Sequence, residues 1–393
     1  MASEYTPSSF RCIATTLFGL ENILAAELAA LGAQNIVLGN RAVEFTGDKR
    51  LLYGANLWCR TAIRILKPFR TFKARDERDL YRQVSKVDWA EYIQGNQTFA
   101  IQSVVSQSTF EHSLFVSQLT KDAIVDQFRQ RTGTRPSVNV ERPDVRINLH
   151  MHENFATLAL DASGDSLHRR GYRLQTNVAP LSEVLAAGIL LLTGWDQKSP
   201  LIDPMCGSGT FLTEAALMAH HIAPGLYRRH DFGFMSWPDF DENLYHQVIA
   251  EAEAAQLPDA EVDIVGSDID REYIDAARKN ITHAGLEDYV RVRVRDIKDA
   301  QGIGESGVVL VNPPYGERIS PDNLNELYKT IGDTFKTNFA GYDAYVFTGN
   351  PEAAKHIGLR TSRRIPLFNG PIECRLLKYE LYRGSRKGPA EPA

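Results

Sequence analysis

Two short segments of this 393-residue chain have residue types and spacing that could do chemistry. The first is Asp203-Pro204-Met205-Cys206-Gly207-Ser208-Gly209-Thr210, which follows an apolar strand and opens a helix. Glycines in such a turn let the backbone bend tightly and approach a ligand closely. The ligand then lies beyond the carboxyl end of a strand, at a helix N-terminus. The turn is not a phosphate loop, because the lysine of G-x-x-x-x-G-K-[ST] is missing. It is not a dinucleotide fingerprint either, because Leu212 stands where the third glycine should be. Asp203, just before the glycines, would repel phosphate and suit a cation. S-adenosylmethionine carries a sulfonium and an ammonium and has no phosphate, so it fits.

Acids at the tips of the next strands extend this reading. One strand ends in Ser267-Asp268-Ile269-Asp270, and the following one in Arg295-Asp296. A strand-tip acid can accept both hydroxyls of a ribose. Asp268 is the better candidate for this than Asp270. Asp296 could accept from an adenine amino group. Each of these acids alone would pass as a helix cap. The expected cofactor set is therefore Asp203, Met205, Cys206, Gly207, Ser208, Gly209, Thr210, Asp268, Ile269 and Asp296.

The second segment is Asn312-Pro313-Pro314-Tyr315, at the end of the strand Val308–Asn312. The exocyclic amine of a base is a poor nucleophile, because its lone pair is conjugated into the ring. Two acceptors can hold its two hydrogens and favour a pyramidal nitrogen aimed at a methyl group. The Asn312 side-chain oxygen and the Pro313 carbonyl can supply them. Prolines fix the backbone, and Tyr315 offers a face for stacking. Positioning and electrostatics then carry most of the rate. Asn312, Pro313, Pro314 and Tyr315 are the catalytic candidates, with Asn312 also facing the cofactor.

The elements that must hold these segments follow from the apolar pattern. From about Gly171 onward, short apolar strands alternate with helices: Thr210–Ile222, Arg271–His283, Asn323–Phe339 and Glu352–His356. This is the pattern of a mostly parallel sheet covered on both faces. Arg364–Phe368 and Cys374–Tyr382, joined by Asn369-Gly370-Pro371, predict an antiparallel hairpin on the sheet edge. An insertion at 224–258, rich in Tyr, Phe and Trp, reads as a packed Ω-type loop or a substrate-side flap. Upstream, residues 1–50 show a small α+β pattern. Residues 51–163 offer strands and helices with no catalytic arrangement, as in a binding module.

Charge divides in the same way. Up to Pro180 there are 22 Lys and Arg against 18 Asp and Glu; beyond it there are 22 against 31. Eight basic residues fall between Arg60 and Arg82, with Phe69, Phe72 and Tyr81 among them. A basic first half suits a polyanion; Arg70, Lys73, Arg75 and Arg78 are the candidate RNA contacts. The four cysteines, Cys12, Cys59, Cys206 and Cys374, lack metal or redox spacing. No metal is expected. Without an apolar run of membrane length or a secretory leader, a cytoplasmic location is expected. His220 and His221 read as packed residues, and Cys206 as a small residue that fits its turn. The pattern does not give the oligomeric state.

The glycine turn, the strand-tip acids and the Asn-Pro-Pro-Tyr segment together resemble the class I methyltransferase fold. That fold is an α/β, Rossmann-like sheet of seven strands with the last antiparallel, and in it these positions hold S-adenosylmethionine. Its Asn-Pro-Pro-Tyr motif occurs in enzymes that act on DNA adenine, on RNA guanine and adenine, and on protein glutamine amides. Arg169-Arg170-Gly171-Tyr172-Arg173, Ala179-Pro180-Leu181, Phe72-Lys73-Ala74-Arg75-Asp76 and Val87-Asp88-Trp89 extend the likeness over the whole chain. It resembles bacterial proteins that join a ferredoxin-like domain, a THUMP domain and one class I methyltransferase domain, of the YpsC-like or RlmL-like type. The resemblance implies domains at 1–50, 51–163 and 164–385 with a disordered tail at 386–393. It places Pro180 beside the cofactor and RNA on the THUMP block. The implied reaction is methylation of a guanine N2 in 23S ribosomal RNA. Rival readings are an amino-methyltransferase of DNA or another RNA, a protein-glutamine methyltransferase, and an RNA-binding ribosome assembly factor that relies little on catalysis.

Overall fold

The computed structural model describes residues 9–174, 181–315 and 320–382. Pro180 and the 386–393 tail lie outside these residues. The chain divides into two compact units. One takes residues 1–16, 24–169 and 228–252; the other takes 17–23, 170–227 and 253–393.

The first unit starts with β1 (Phe10–Thr15), α1 (Glu21–Ala30), β2 (Gln34–Gly39), β3 (Ala42–Gly47) and α2 (Lys49–Trp58). Asp48 caps α2 by accepting the Leu51 N–H at 2.9 Å, which satisfies a donor the helix cannot. β4 (Arg64–Lys73), α3 (Glu77–Val84), β5 (Thr98–Ser106) and α4 (Ser113–Thr132) follow. Then come β6 (Ser137–Val138), β7 (Val145–His152) and β8 (Phe155–Asp161). All eight strands share one sheet, in the order β2-β3-β1-β4-β8-β7-β5-β6. β4 is the seam: Arg64–Leu66 pair with β1, and Leu66–Lys73 pair with β8. The register of β4 shifts between Pro68 and Arg70. Proline has no N–H to give the ladder, so a bulge is where it is tolerated.

The second unit opens with α5 (Glu183–Thr193), β9 (Leu201–Asp203) and α6 (Thr210–Ala219). The strand–helix pattern did not mark α5. Its sequence, EVLAAGILLLT, is almost wholly apolar and buried, and a helix buried on every side has no amphipathic signature.

The insertion has more regular structure than a loop. It holds 3-10 turns at Pro224–Arg228 and Gly233–Ser236 and the helix α7 (Glu242–Ala254). Residues 228–252 belong to the first unit, where Phe234 packs on Tyr53 with centroids 4.4 Å apart. Buried Arg228 donates to the Ser163 carbonyl at 2.8 Å.

The chain then returns to the second unit with β10 (Ile264–Asp268), α8 (Arg271–His283), β11 (Val290–Val294) and β12 (Val308–Val311). It closes with α9 (Pro321–Asn338), β13 (Asp343–Thr348), α10 (Pro351–Ala354), β14 (Arg363–Asn369) and β15 (Ile372–Glu380). The sheet order is β11-β10-β9-β12-β13-β15-β14, parallel from β11 to β13, with β15 antiparallel to both neighbours. The expected hairpin is there, with β14 on the edge. Val309, Val311, Ile331, Phe335, Phe339, Val346 and Leu377 form a core on one face of this sheet. No helix among the described residues is long and apolar enough to cross a membrane. Nor do three or more His, Cys, Asp or Glu among them gather as metal ligands.

Candidate active site

Strand order sets the place. β9 lies between β10 and β12, so the connections on its two sides leave toward opposite faces. A crevice forms beyond the strand ends at such a switch point. Ile202 of β9 pairs with Val309 of β12. The glycine turn after β9 and the Asn-Pro-Pro segment after β12 therefore leave neighbouring strand ends.

The turn is built from the backbone outward. Gly207 and Gly209 take φ of +52° and +82°, a region that disfavours side chains. A Cβ at Gly209 would also come within 3.2 Å of the Ala277 Cβ, so glycine lets α6 start close against α8. The Cys206 N–H donates to the Ser267 carbonyl at 2.9 Å, and the Gly209 N–H to the Cys206 carbonyl at 2.8 Å. Buried Asn280 reaches from α8 and donates to the Ser208 carbonyl at 3.2 Å. Met205 and Gly207 are half-buried, whereas Cys206, Ser208 and Thr210 are buried.

Two acids stand beside this turn. Asp203 is buried and accepts the Met205 N–H at 3.1 Å. Burial pushes its carboxyl well above the usual carboxylate range, and the nearby Asp268 charge adds to the rise. Asp268 accepts from Gly207 N–H and Asp270 N–H, each at 3.0 Å, and burial raises its pKa as well. A cation between these groups would relieve both the burial cost and the repulsion. The donor set therefore fits the cationic end of S-adenosylmethionine.

Asp270 lies elsewhere in role: it is exposed and caps α8 through the Glu272 N–H at 2.8 Å. Asp296 caps the short turn Ile297–Asp299, accepts the Lys298 N–H at 3.1 Å and pairs with Lys298 Nζ at 3.2 Å. It stays near the site because the Arg295 N–H donates to the Asp268 carbonyl at 2.9 Å. Ile269, 70% exposed, leaves an apolar surface uncovered at these strand tips.

At the end of β12, Asn312 is half-buried and Pro313 is buried. The Tyr315 hydroxyl donates to Asn312 Oδ1 at 3.0 Å. Burial holds that phenol above its ordinary pKa.

Several polar partners escaped the sequence reading. Tyr172 donates to Glu214 at 2.9 Å, both buried. Arg173 pairs with Glu183 at 2.8 Å and donates to Thr210 Oγ1 at 3.1 Å, bracing the first residue of α6. Asn350 and Asn369 both reach Tyr315. The Arg-Gly-Tyr-Arg and Asn-Gly-Pro segments were visible signals, but nothing in one sequence says what they touch.

The candidate RNA contacts lie in the first unit. Arg70, Lys73, Arg75 and Arg78 are exposed, and none of the four forms an ion pair among the described residues. Their neighbours in the cluster are engaged. Arg64 pairs with buried Asp161, Lys67 with Asp239, and Arg82 with Asp79.

Comparison with known proteins agrees with this geometry. Residues 170–378 match the RMKL-like methyltransferase domain family, 74–161 the THUMP domain, and 11–66 the RlmL ferredoxin-like domain. A Synechocystis sp. protein named "Putative RNA methyltransferase" is 44% identical, over 97% of this chain and 99% of its own. The ribosomal RNA large subunit methyltransferase K/L of Syntrophotalea carbinolica is 44% identical over 94% of this chain. The match takes in 53% of that protein, so the chain spans about half its length. The crystal structure of SMU.472 in complex with SAH superposes with a TM-score of 0.87 at 32% identity, covering 97% of this chain and all of the other.

Proposed function

The chain belongs to the RMKL-like methyltransferase family, with S-adenosylmethionine as its cofactor, and we propose that it methylates the exocyclic N2 amino group of a guanine in 23S ribosomal RNA. The observation that carries the proposal is the placement of Asn312 at the switch point. Its acceptor oxygen leaves the strand end next to a buried acidic turn suited to a cationic methyl donor.

The cofactor supplies an electrophilic methyl group on a positively charged sulfur. Asp203, Asp268 and the turn from Met205 to Thr210 would hold it, with Ile269 and Asp296 on the adenine side. Asn312 Oδ1 and the Pro313 carbonyl accept the two amine hydrogens, and this turns the nitrogen lone pair toward the methyl group. Transfer would form the N–C bond as the S–C bond breaks and S-adenosylhomocysteine leaves, and the methylated amine would pass its extra proton to water. Pro313 and Pro314 keep these acceptors from moving, and Tyr315 forms a wall of the base site. A base inside an RNA helix must leave its stack to reach this site. Arg70, Lys73, Arg75 and Arg78 contact phosphates and bind by shape and charge.

The THUMP match and the large-subunit name of the Syntrophotalea relative support RNA over DNA or protein. The test is transfer of labelled methyl from S-adenosylmethionine to 23S RNA from cells lacking the gene. Double-stranded DNA and a glutamine peptide serve as competing acceptors. Label confined to the RNA, and lost with Asn312→Ala, is the expected result. Label in DNA or peptide would overturn the choice of acceptor.

A further inference from the structure

We propose that Asn369, in the turn between β14 and β15, is a positioning residue that fixes the orientation of the Asn312 side-chain amide. The inference rests on the reading of Asn312 as the acceptor for the substrate amine.

The residues form a directed chain. Asn369 Nδ2 donates to the Tyr315 hydroxyl oxygen at 3.1 Å. That hydroxyl donates in turn to Asn312 Oδ1 at 3.0 Å. A phenol has a single hydrogen. With Asn369 donating to its oxygen, the hydrogen has two acceptors in reach, Asn312 Oδ1 and the Cys374 sulfur, and of these the amide oxygen is the stronger. A carboxamide can flip and exchange its oxygen for its NH2 group. Donation from Tyr315 holds the oxygen in place, and a carboxamide oxygen has a second lone pair for an incoming amine. In the flipped state the Asn312 NH2 would face the substrate NH2, donor against donor, and the amine would be left with one acceptor in place of two.

The surroundings keep Tyr315 still. Asn350, which caps α10 through the Ala353 N–H at 2.9 Å, donates to the Tyr315 carbonyl at 3.4 Å. The ring meets Phe347 edge-on, with centroids 6.5 Å apart. Gly349 allows the hairpin to close on this ring. A Cβ there would lie 2.8 Å from Ile372 and 3.3 Å from both Tyr315 and Cys374. The register Asn369↔Ile372 leaves only Gly370 and Pro371 as the connection, with Gly370 at φ +59°. The tight turn fixes where Asn369 points.

Asn369→Asp tests the relay, because it keeps size and turn propensity and reverses the hydrogen bond. An ionised carboxylate only accepts, so it draws the Tyr315 hydrogen away from Asn312. Full-length wild type, Asn369→Asp, Tyr315→Phe, the double variant and Asn312→Ala are compared with 23S RNA from cells lacking the gene. Asn369→Asp is expected to lower kcat roughly tenfold to a hundredfold. KM for RNA and Kd for S-adenosylhomocysteine should stay within about twofold, because the relay acts through Tyr315 on the reacting amine alone. The double variant should be no worse than Tyr315→Phe alone, as for two links of one chain. A wild-type kcat in Asn369→Asp, or losses that multiply, would overturn the relay while leaving Asn312 in its role. An active Asn312→Ala would instead remove the acceptor reading, and the relay with it. A second readout needs no substrate: the Asn312 Cγ signal in protein labelled with 13C-asparagine. It should move alike in Asn369→Asp and Tyr315→Phe, and an unmoved signal contradicts the relay.

Discussion

The backbone N–H of Gly207 donates to Oδ2 of Asp268 at 3.0 Å. This bond ties the turn after β9 to the carboxylate at the tip of β10, so one side chain shapes the turn and, in the proposed cofactor site, would also accept from the ribose. Asp268→Ala removes a charged acceptor from each. Bonds to charged groups contribute about 1.5–3 kcal/mol, which is about tenfold to a hundredfold in affinity. Titration calorimetry with S-adenosylhomocysteine should show that weakening, with an unchanged circular dichroism spectrum. An unaltered Kd would remove Asp268 from the cofactor site.

The raised carboxyls make cofactor binding depend on pH. Burial lifts the pKa of both Asp203 and Asp268. The free protein therefore holds protons there that the unfolded chain would release. It gains stability from them as pH falls through the raised values toward about 3.9, and loses it as pH rises. A bound cation favours the ionised forms, so affinity for S-adenosylmethionine should climb as pH rises through those raised values. Thermal shift measured at several pH values in saturating cofactor should grow with pH. Asp203→Asn should flatten the slope, and a slope unchanged by this substitution would contradict the assignment.

These acids show what one sequence could and could not reveal. The glycine turn, Asp268 and Asn312 drew attention because they recur together at successive strand ends, although each acid alone would pass as a helix cap. The sequence set Asp270 behind Asp268 and made Asp296 the adenine candidate. In the structure Asp270 is a helix cap, while Asp296 is a cap that also sits beside the second strand tip. The helix α5 was hidden because it is apolar on every face. Arg64 and Lys67 counted toward a basic patch, yet Asp161 and Asp239, far away in sequence, already hold them. Asn369 read only as a turn former, because asparagine before Gly-Pro is sufficiently explained by the turn itself.

Replacing Arg70, Lys73, Arg75 and Arg78 together by Ala should weaken RNA binding and flatten its salt dependence. Each phosphate that is no longer neutralised takes about 0.7–0.9 from the slope of log K against log salt. Filter binding at several salt concentrations, with calorimetry on S-adenosylhomocysteine as the control, checks this. A slope equal to wild type would move the RNA surface elsewhere.

Gly332 on α9 is a packing requirement. A Cβ there would lie 1.9 Å from the Ile357 carbonyl oxygen, and backbone cannot step aside as a side chain can. Gly332→Ala should cost about 1–3 kcal/mol or more despite alanine's better helix propensity. Urea denaturation should show a lower midpoint. An equal or higher midpoint would mean that the 355–357 turn yields at little cost.

The central claim is methyl transfer to a guanine N2 through Asn312. Mass spectrometry of nucleosides from 23S RNA tests it most directly, in cells deleted for the gene and complemented with wild type or Asn312→Ala. One N2-methylguanosine should vanish on deletion, return with wild type and stay absent with Asn312→Ala. Return of the mark with Asn312→Ala, or loss of a different methylated nucleoside with N2-methylguanosine unchanged, would contradict it.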